Sequence, residues 1–283
     1  METVICPAPA KLNLFLHVVG RRDDGYHLLE TVFRFIDYGD TVTLQLRTDG
    51  VIARQYAWND VPEAQDLCVR AARLLQQVSG TGLGVDINLE KRLPMGGGLG
   101  GGSSDAASVL LGLNQLWGLH WSRQRLQDLA LQLGADVPVF VFGSSAFAQG
   151  IGEILQPVAL DPAWYLVLMP AVHVSTPKIF ASEHLTRDTK SIKIADFSRA
   201  EVFSSLTGND LQNAVCDLYP AVADAIVWLA QYGLTRMTGS GACVFAAFDS
   251  EQAAQAVLTQ LPGNMRGFVA QGLDEHPLKN FAA

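Results

Sequence analysis

Apolar and polar residues alternate from the start of the chain. Over Val4 to Val18 this alternation predicts a strand that Pro7 and Pro9 break and that resumes after Ala10. Strand parity then puts Lys11, Asn13 and Phe15 on one face and Leu12, Leu14 and Leu16 on the other. Lys11 and Asn13 suit a solvated sheet edge as well as a polar site. Gly20 to His27 predicts a turn that ends in Asp24-Gly25, with Tyr26 and His27 opening a strand that runs through Phe35. A further turn at Asp37-Tyr38-Gly39-Asp40 leads to the alternating strand Thr41 to Leu46, followed by a loop around Trp58-Asn59-Asp60.

The period then changes. From Asp66 to Gln77, Leu67, Ala71, Leu74 and Leu75 recur at helical spacing, with Gly80 as the stop. Gly84 to Glu90 alternates as a strand, and helices are expected over Ser104–Trp117 and Ser122–Leu133, the latter ended by Gly134. Phe147 to Glu153 is a glycine-punctuated strand and turn, expected as a junction between domains. Beyond it come a strand at Tyr165–Pro170, a helix started by Ser175-Thr176-Pro177 that contains Phe180, and a polar, aperiodic stretch from Thr186 to Ser198 expected as a mobile loop. Asn209-Asp210-Leu211 leads into helical sequence, and a helix over Ala221–Tyr232 closes at Gly233. Met237 to Ala246 is a small glycine-hydroxyl loop running into a strand, followed by a helix near Ala253–Gln260 and a strand near Gly267–Ala270.

Between a strand and a helix lies the stretch that carries chemistry: Pro94-Met95-Gly96-Gly97-Gly98-Leu99-Gly100-Gly101-Gly102-Ser103-Ser104. Glycines accept φ > 0 and lack a Cβ, so successive N–H groups can curl around an anion. The helix that follows adds its unpaired N–H groups and dipole, and the hydroxyls of Ser103 and Ser104 can donate to phosphate oxygens. A flexible linker would have polar flanks, whereas this run follows an alternating strand pattern and precedes an apolar helix. It formally matches Gly-x-Gly-x-x-Gly, but no acidic residue follows at the distance that binds a ribose. It also lacks the lysine of a P-loop.

Composition narrows the partners. The chain has 283 residues, enough for about two domains, with 49% hydrophobic and 17% charged residues. A net charge of −8 without a basic stripe argues against nucleic acid, and no stretch is apolar enough for a membrane span. Glu2 stands where a signal peptide would carry positive charge, so a cytoplasmic protein is expected. Cys6, Cys68, Cys216 and Cys243 are scattered, which suggests buried small side chains and no zinc or disulfide framework.

Three separated segments, Pro9-Ala10-Lys11-Leu12-Asn13-Leu14, the central glycine loop and Thr238-Gly239-Ser240-Gly241-Ala242, together resemble the GHMP kinases, the family of galactose, homoserine, mevalonate and phosphomevalonate kinases. The resemblance implies an α+β, two-domain architecture with the active site in the cleft between domains. Residues 1–153 would form the ATP-binding N-terminal domain, and residues 154–283 a C-terminal domain contributing to the acceptor site. Lys11 to Leu16, Asp24 to His27, Gly134 to Pro138 and Ser175 to Pro177 are similar to a branch of the family in non-mevalonate isoprenoid synthesis. That likeness implies ATP-dependent phosphorylation of the 2-hydroxyl of a methylerythritol carried on cytidine diphosphate, giving the 2-phosphate and ADP.

The same resemblance implies roles by position. Lys11 and Asp136 would be the catalytic pair, and Pro94, Met95, Gly96, Gly97, Gly98, Leu99, Gly100, Gly101, Gly102, Ser103 and Ser104 would hold ATP. Asn13, Tyr26, His27, Ile151, Thr176 and Phe180 would meet the cytidine substrate. Local readings stand beside these: Asp136 before Pro138 also suits a helix cap, and Tyr26 and His27 also suit strand packing. Mg²⁺ is expected with ATP, but no motif identifies its ligands. Asp105 is a candidate that, as an acid in a first helical turn, already has a structural reason to be there. Another small-molecule member of mevalonate or homoserine type, or a non-catalytic nucleotide sensor, are the competing expectations. The Tyr26–His27 pair argues against the first, because neither acceptor has a base to stack. Retention of Lys11 and Asp136 argues against the second.

Overall fold

The computed structural model describes residues 2–23, 25–57, 61–193, 204 and 207–282. Asp24 of the expected Asp-Gly turn, the loop at Trp58-Asn59-Asp60 and residues 194–198 of the expected mobile stretch lie outside the described residues.

Two long antiparallel strands, β1 (Thr3–Arg21) and β2 (His27–Arg47), form the spine. The prolines do not break β1. Its outer edge faces helix α2 (Gly101–Leu116), where Ser108 Oγ donates to the Pro7 carbonyl at 2.9 Å and Ser104 Oγ to the Pro9 carbonyl at 2.7 Å. Pro7 and Pro9 therefore sit where the edge needs acceptors and no donors, which is where a strand tolerates proline. The turn expected at Asp37–Asp40 is instead a bulge within β2: Pro9 pairs with Gly39 and Ala10 with Ile36. Gly39 allows this approach, since a Cβ there would lie 2.2 Å from the Ala8 carbonyl oxygen.

A second bulge, between Asn13 and Leu16, corrects the expected parity. Phe15 turns into the core with Leu12 and Leu14, and Leu16 replaces it on the face of Lys11 and Asn13.

Helices α1 (Leu67–Ser79), α2, α3 (Arg123–Ala130) and α4 (Val137–Phe142) cover one face of the first half. There β3 (Ile52–Arg54), which alternation missed, runs parallel to β4 (Gly84–Glu90). A hairpin of β5 (Ala146–Gln149) and β6 (Ile154–Pro157) pairs with β2. The second half holds β7 (Trp164–Leu168), α5 (Thr176–Phe180), α6 (Gln212–Leu218), α7 (Pro220–Leu229), β8 (Thr235–Met237), β9 (Val244–Phe248), α8 (Glu251–Leu258) and β10 (Gly267–Leu273). The main sheet path is β3-β4-β2-β10-β7-β9-β8, so β10 joins the second half to β2.

One apolar core lies under α1–α4 and another under α5–α8. A third, with Leu12, Leu14, Phe15, Phe147, Phe245 and Phe268, is shared by the two halves. The C-terminal segment returns to the first core: Leu278 is buried there, His276 meets the Phe35 ring edge-on at 5.6 Å, and Arg123 donates to the Ala282 carbonyl at 2.8 Å. The irregular stretch after α5 is tied down: Thr189 N–H donates to the Val18 carbonyl and Ile192 N–H to Glu30 at 2.8 Å. Cys6, Cys68 and Cys243 are buried free thiols, and burial pushes Cys6 and Cys243 up to about 12. Among the described residues no helix is long and apolar enough to cross a membrane.

Candidate active site

Lys11 is buried on β1, where only a charge with partners is tolerated. Its Nζ donates to Asn13 Oδ1 at 2.6 Å, lies 5.4 Å from the Phe33 ring centre, and stands 3.5 Å from Asp136 Oδ2. Asp136 precedes α4 but makes no capping bond with its side chain, so its carboxylate, 40% exposed, is left to Lys11 and the cavity. Asn13, expected at the substrate, lines the cavity but has most of its amide committed to the protein. Its Oδ1 accepts from Lys11, and its Nδ2 donates to Thr31 Oγ1 at 2.9 Å. Its chief visible duty is to hold the lysine.

The glycine loop is folded as a cradle. Gly96, Gly98 and Gly100 have φ of 65°, 75° and 73°. The loop carbonyls turn inward: Gly96 accepts from Ala242 N–H, Gly97 from Cys243 N–H and Leu99 from Lys11 N–H, at 3.0–3.2 Å. Among the described residues, the N–H groups of Gly96 to Gly100 have no protein acceptor. Such a row of inward carbonyls and unclaimed amides favours an anion. Helix α2 begins at Gly101, three residues before the expected Ser104, so both serines fall in its first turn. Ser103 reaches the cavity, whereas Ser104 is fully buried with its hydroxyl on Pro9, which corrects the expectation that both hydroxyls face a phosphate.

Lys11 lies where the two glycine loops meet. A Cβ on Gly100 would come within 3.1 Å of its Cγ, and one on Gly239 within 3.3 Å of its Nζ.

A cavity of about 760 Å³ opens from this junction. Lys11, Asn13, Ser103 and Asp136 line it, and Tyr26, His27, Ile151, Thr176 and Phe180 are also in its wall. The structure thus gathers residues that the sequence spreads over six segments. Pro94 to Gly102 and Ser104 are not part of that wall. His27 stacks on Phe180 with ring centres 4.8 Å apart, and Tyr26, just before β2, is 60% exposed. Thr176 Oγ1 shares a hydrogen bond with Ser240 Oγ at 2.6 Å, coupling α5 to the second glycine loop.

Sequence reasoning missed several wall residues, including Arg21, Thr31, Phe33 and Gly239. Thr31 and Phe33 alternate with the strand period and were legible as one face, but nothing in the pattern said which face met a cavity.

Asp105 is withdrawn from solvent. Lys91 Nζ bonds its Oδ2 at 2.8 Å and also bonds Asp40, whose Oδ1 accepts from Leu93 N–H at 2.8 Å. Burial raises the Asp105 carboxyl to about 7, with Lys91 opposing the rise. This cluster braces the strand before the cradle against the helix after it. Among the described residues no group of three His, Cys, Asp or Glu side chains could hold a metal ion.

A lysine–aspartate pair between an amide-lined anion cradle and an aromatic cavity is the arrangement of a small-molecule kinase. The chain belongs to the GHMP kinase family: it matches the model for the GHMP kinases N terminal domain over residues 66–144 and that for GHMP kinases C terminal over residues 187–267. It is 63% identical to the 4-diphosphocytidyl-2-C-methyl-D-erythritol kinase of Thiobacillus denitrificans, with 97% of each chain covered. It is 61% identical to the enzyme of that name from Nitrosospira multiformis, covering 98% of this chain and 94% of the relative. A crystal structure of 4-(cytidine 5'-diphospho)-2C-methyl-D-erythritol kinase superposes with a TM-score of 0.82 at 32% identity, covering 95% of this chain and 99% of that one.

Proposed function

We propose that this chain transfers the γ-phosphoryl group of ATP to the 2-hydroxyl of 4-diphosphocytidyl-2-C-methyl-D-erythritol, giving the 2-phosphate and ADP in isoprenoid precursor synthesis. The relatives of that name cover nearly the whole chain. The observation that carries the reading onto particular residues is the Lys11–Asp136 pair at the seam between the phosphate cradle and the cavity.

Asp136 accepts the proton of the acceptor hydroxyl as its oxygen attacks the γ-phosphorus and ADP departs. Lys11, held by Asn13, orients that carboxylate and offsets charge developing on the transferred group. Gly96 to Gly102 and Ser103 bind the triphosphate. Tyr26, His27 and Phe180 hold the cytosine, and Ile151 and Thr176 shape the wall between.

Lys11 and Arg21 bring positive charge to the cavity of an otherwise acidic protein, which suits an acceptor carrying a diphosphate. Mg²⁺ would arrive with ATP and offset its phosphate charge, held chiefly by phosphate oxygens and water, as the sparse local carboxylates suggest. We place the ATP-binding unit at residues 1–153, the acceptor-side unit at 154–283, and the protein in the cytoplasm. The two family matches fall on either side of residue 153.

Incubation with ATP, Mg²⁺ and the cytidine-linked acceptor tests the assignment, with product mass as readout. The expected product is heavier by one phosphoryl group. Equal turnover of free methylerythritol would reduce the assignment to a kinase without a base requirement.

A further inference from the structure

Arg187 belongs to no motif and lies in the aperiodic stretch after α5, yet it bonds His27 in the cavity wall. Its Nε donates to His27 Nε2 at 3.2 Å, while its Nη atoms donate to the carbonyls of Leu185 at 3.1 Å, Phe180 at 3.0 Å and Ser182 at 2.7 Å. A guanidinium has five N–H donors, no acceptor, and keeps its charge at any ordinary pH. His27 Nε2 must therefore present a lone pair, and the neutral ring carries its proton on Nδ1. The ring is kept neutral by its surroundings: burial first, then the charges of Arg187 and Arg21, push His27 below the usual histidine range. Its orientation is fixed as well, because it stacks on Phe180, whose carbonyl is bonded to the same arginine.

We propose that Arg187 determines which pyrimidine the acceptor carries: by donating to His27 Nε2 it fixes that imidazole as an Nδ1–H donor, and the donor selects cytosine over uracil at N3 of the base. The proposal rests on the cytidine reading of the cavity. Neutral cytosine has a lone pair at N3, whereas uracil has an N–H there, so a fixed donor pairs with the first and opposes the second. An imidazole free to move its proton to Nε2 would offer Nδ1 as an acceptor and meet uracil equally well. Arg187 touches neither base nor phosphate in this account and acts only through His27.

The tautomer can be observed in the unmodified protein. A two-bond nitrogen–proton NMR spectrum at neutral pH, with the His27 signals assigned by their loss in His27→Gln, is expected to show the Nδ1–H form. In Arg187→Met the His27 signals should shift toward a tautomer mixture. The ratio of kcat/KM for cytidine- over uridine-diphosphate-linked methylerythritol should fall by about tenfold, carried by KM, because one fixed donor in the base site has been lost. Arg187→Lys, which keeps a donor and a charge, should recover part of the preference. An Nε2–H tautomer in the unmodified protein would overturn the proposal whatever the fold of the variants. So would a folded Arg187→Met that keeps both tautomer and preference. Free methylerythritol turned over as well as either nucleotide would remove base selection together with the cytidine reading, a result distinct from loss of the tautomer.

Discussion

Ser103 and Ser104 are neighbours with opposite duties. Ser104 gives its hydroxyl to the Pro9 carbonyl inside the protein, while Ser103 is in the cavity wall. Ser104→Ala should cost about 1–3 kcal/mol of stability, because a buried carbonyl loses its donor. Ser103→Ala should leave the unfolding midpoint nearly unchanged and weaken ATP binding. Denaturant melts beside nucleotide titration separate the two, and a reversal of these effects would exchange their roles. The proposed catalytic pair is the sterner case: Asp136→Asn and Lys11→Ala should each lower kcat by about 10²-fold or more while ATP still binds. Near-normal turnover in Asp136→Asn would take the base out of the mechanism. At this scale the candidate site was legible where a residue type stood out within a recognisable motif, as did Lys11 and Asp136, which the fold brings within 3.5 Å of each other. Phe15 was misplaced because a bulge changes parity without leaving a mark in the sequence. Arg187 was invisible because its partners are distant in sequence and its own segment has no period.

At the scale of elements, the two glycine loops work as one body. A Cβ on Gly98 would lie 2.1 Å from the Thr238 carbonyl oxygen, a backbone atom that cannot step aside, and its φ of 75° is already unsuited to a side chain. Gly98→Ala should destabilise the fold by about 2 kcal/mol or more and weaken ATP binding along with it. Gly102 differs, since its nearest neighbour would be Leu67 Cδ1 at 3.4 Å, an ordinary contact on a helix. Gly102→Ala should therefore raise stability by up to about 1 kcal/mol while still lowering ATP affinity, since a methyl group crowds the phosphate. Thermal melts with calorimetry test both, and unchanged ATP affinity in both would leave the glycines a packing role only.

The brace beneath the cradle has a pH signature. Asp105 ionises near 7 when folded against 3.8 for its ordinary value, so its protonated form contributes stability that is full below about pH 4 and lost as pH rises through about 7. Asp105→Asn has no such proton, so its stability relative to the parent should climb by on the order of a few kcal/mol between about pH 4 and 7 and then level off. Urea titrations across that range check the slope, and a pH-independent difference would remove Asp105 as its source. The helices and the cradle could be anticipated from spacing and glycine content. The brace could not, because Asp40 and Asp105 read singly as a turn acid and a helix-start acid, and no pattern singled out Lys91.

Across the whole molecule, the two halves share a spine. Strand β10 pairs with β2, the third core draws side chains from both halves, and the C-terminal segment packs His276 against Phe140, the ring that a Cβ on Gly100 would meet at 2.9 Å. Prying the halves apart would expose that common core, at about 25 cal/mol for every Å² of apolar surface. Wide hinge opening is thus unfavourable, and the span from the stacked rings of His27 and Phe180, the proposed cytosine clamp, to the carboxylate of Asp136 is built in. Such a cleft acts as a gauge, which accepts a substrate by its length as much as by its groups. On the proposed assignment the diphosphate is then the spacer that brings the tertiary hydroxyl to Asp136 once the base is seated. Cytidine-linked acceptors with one phosphate or three in the bridge should bind through the base and be turned over at least about tenfold less well, since a reacting atom displaced by a bond length or two loses its alignment. Comparable kcat for all three bridges would show that the jaws adjust to their load.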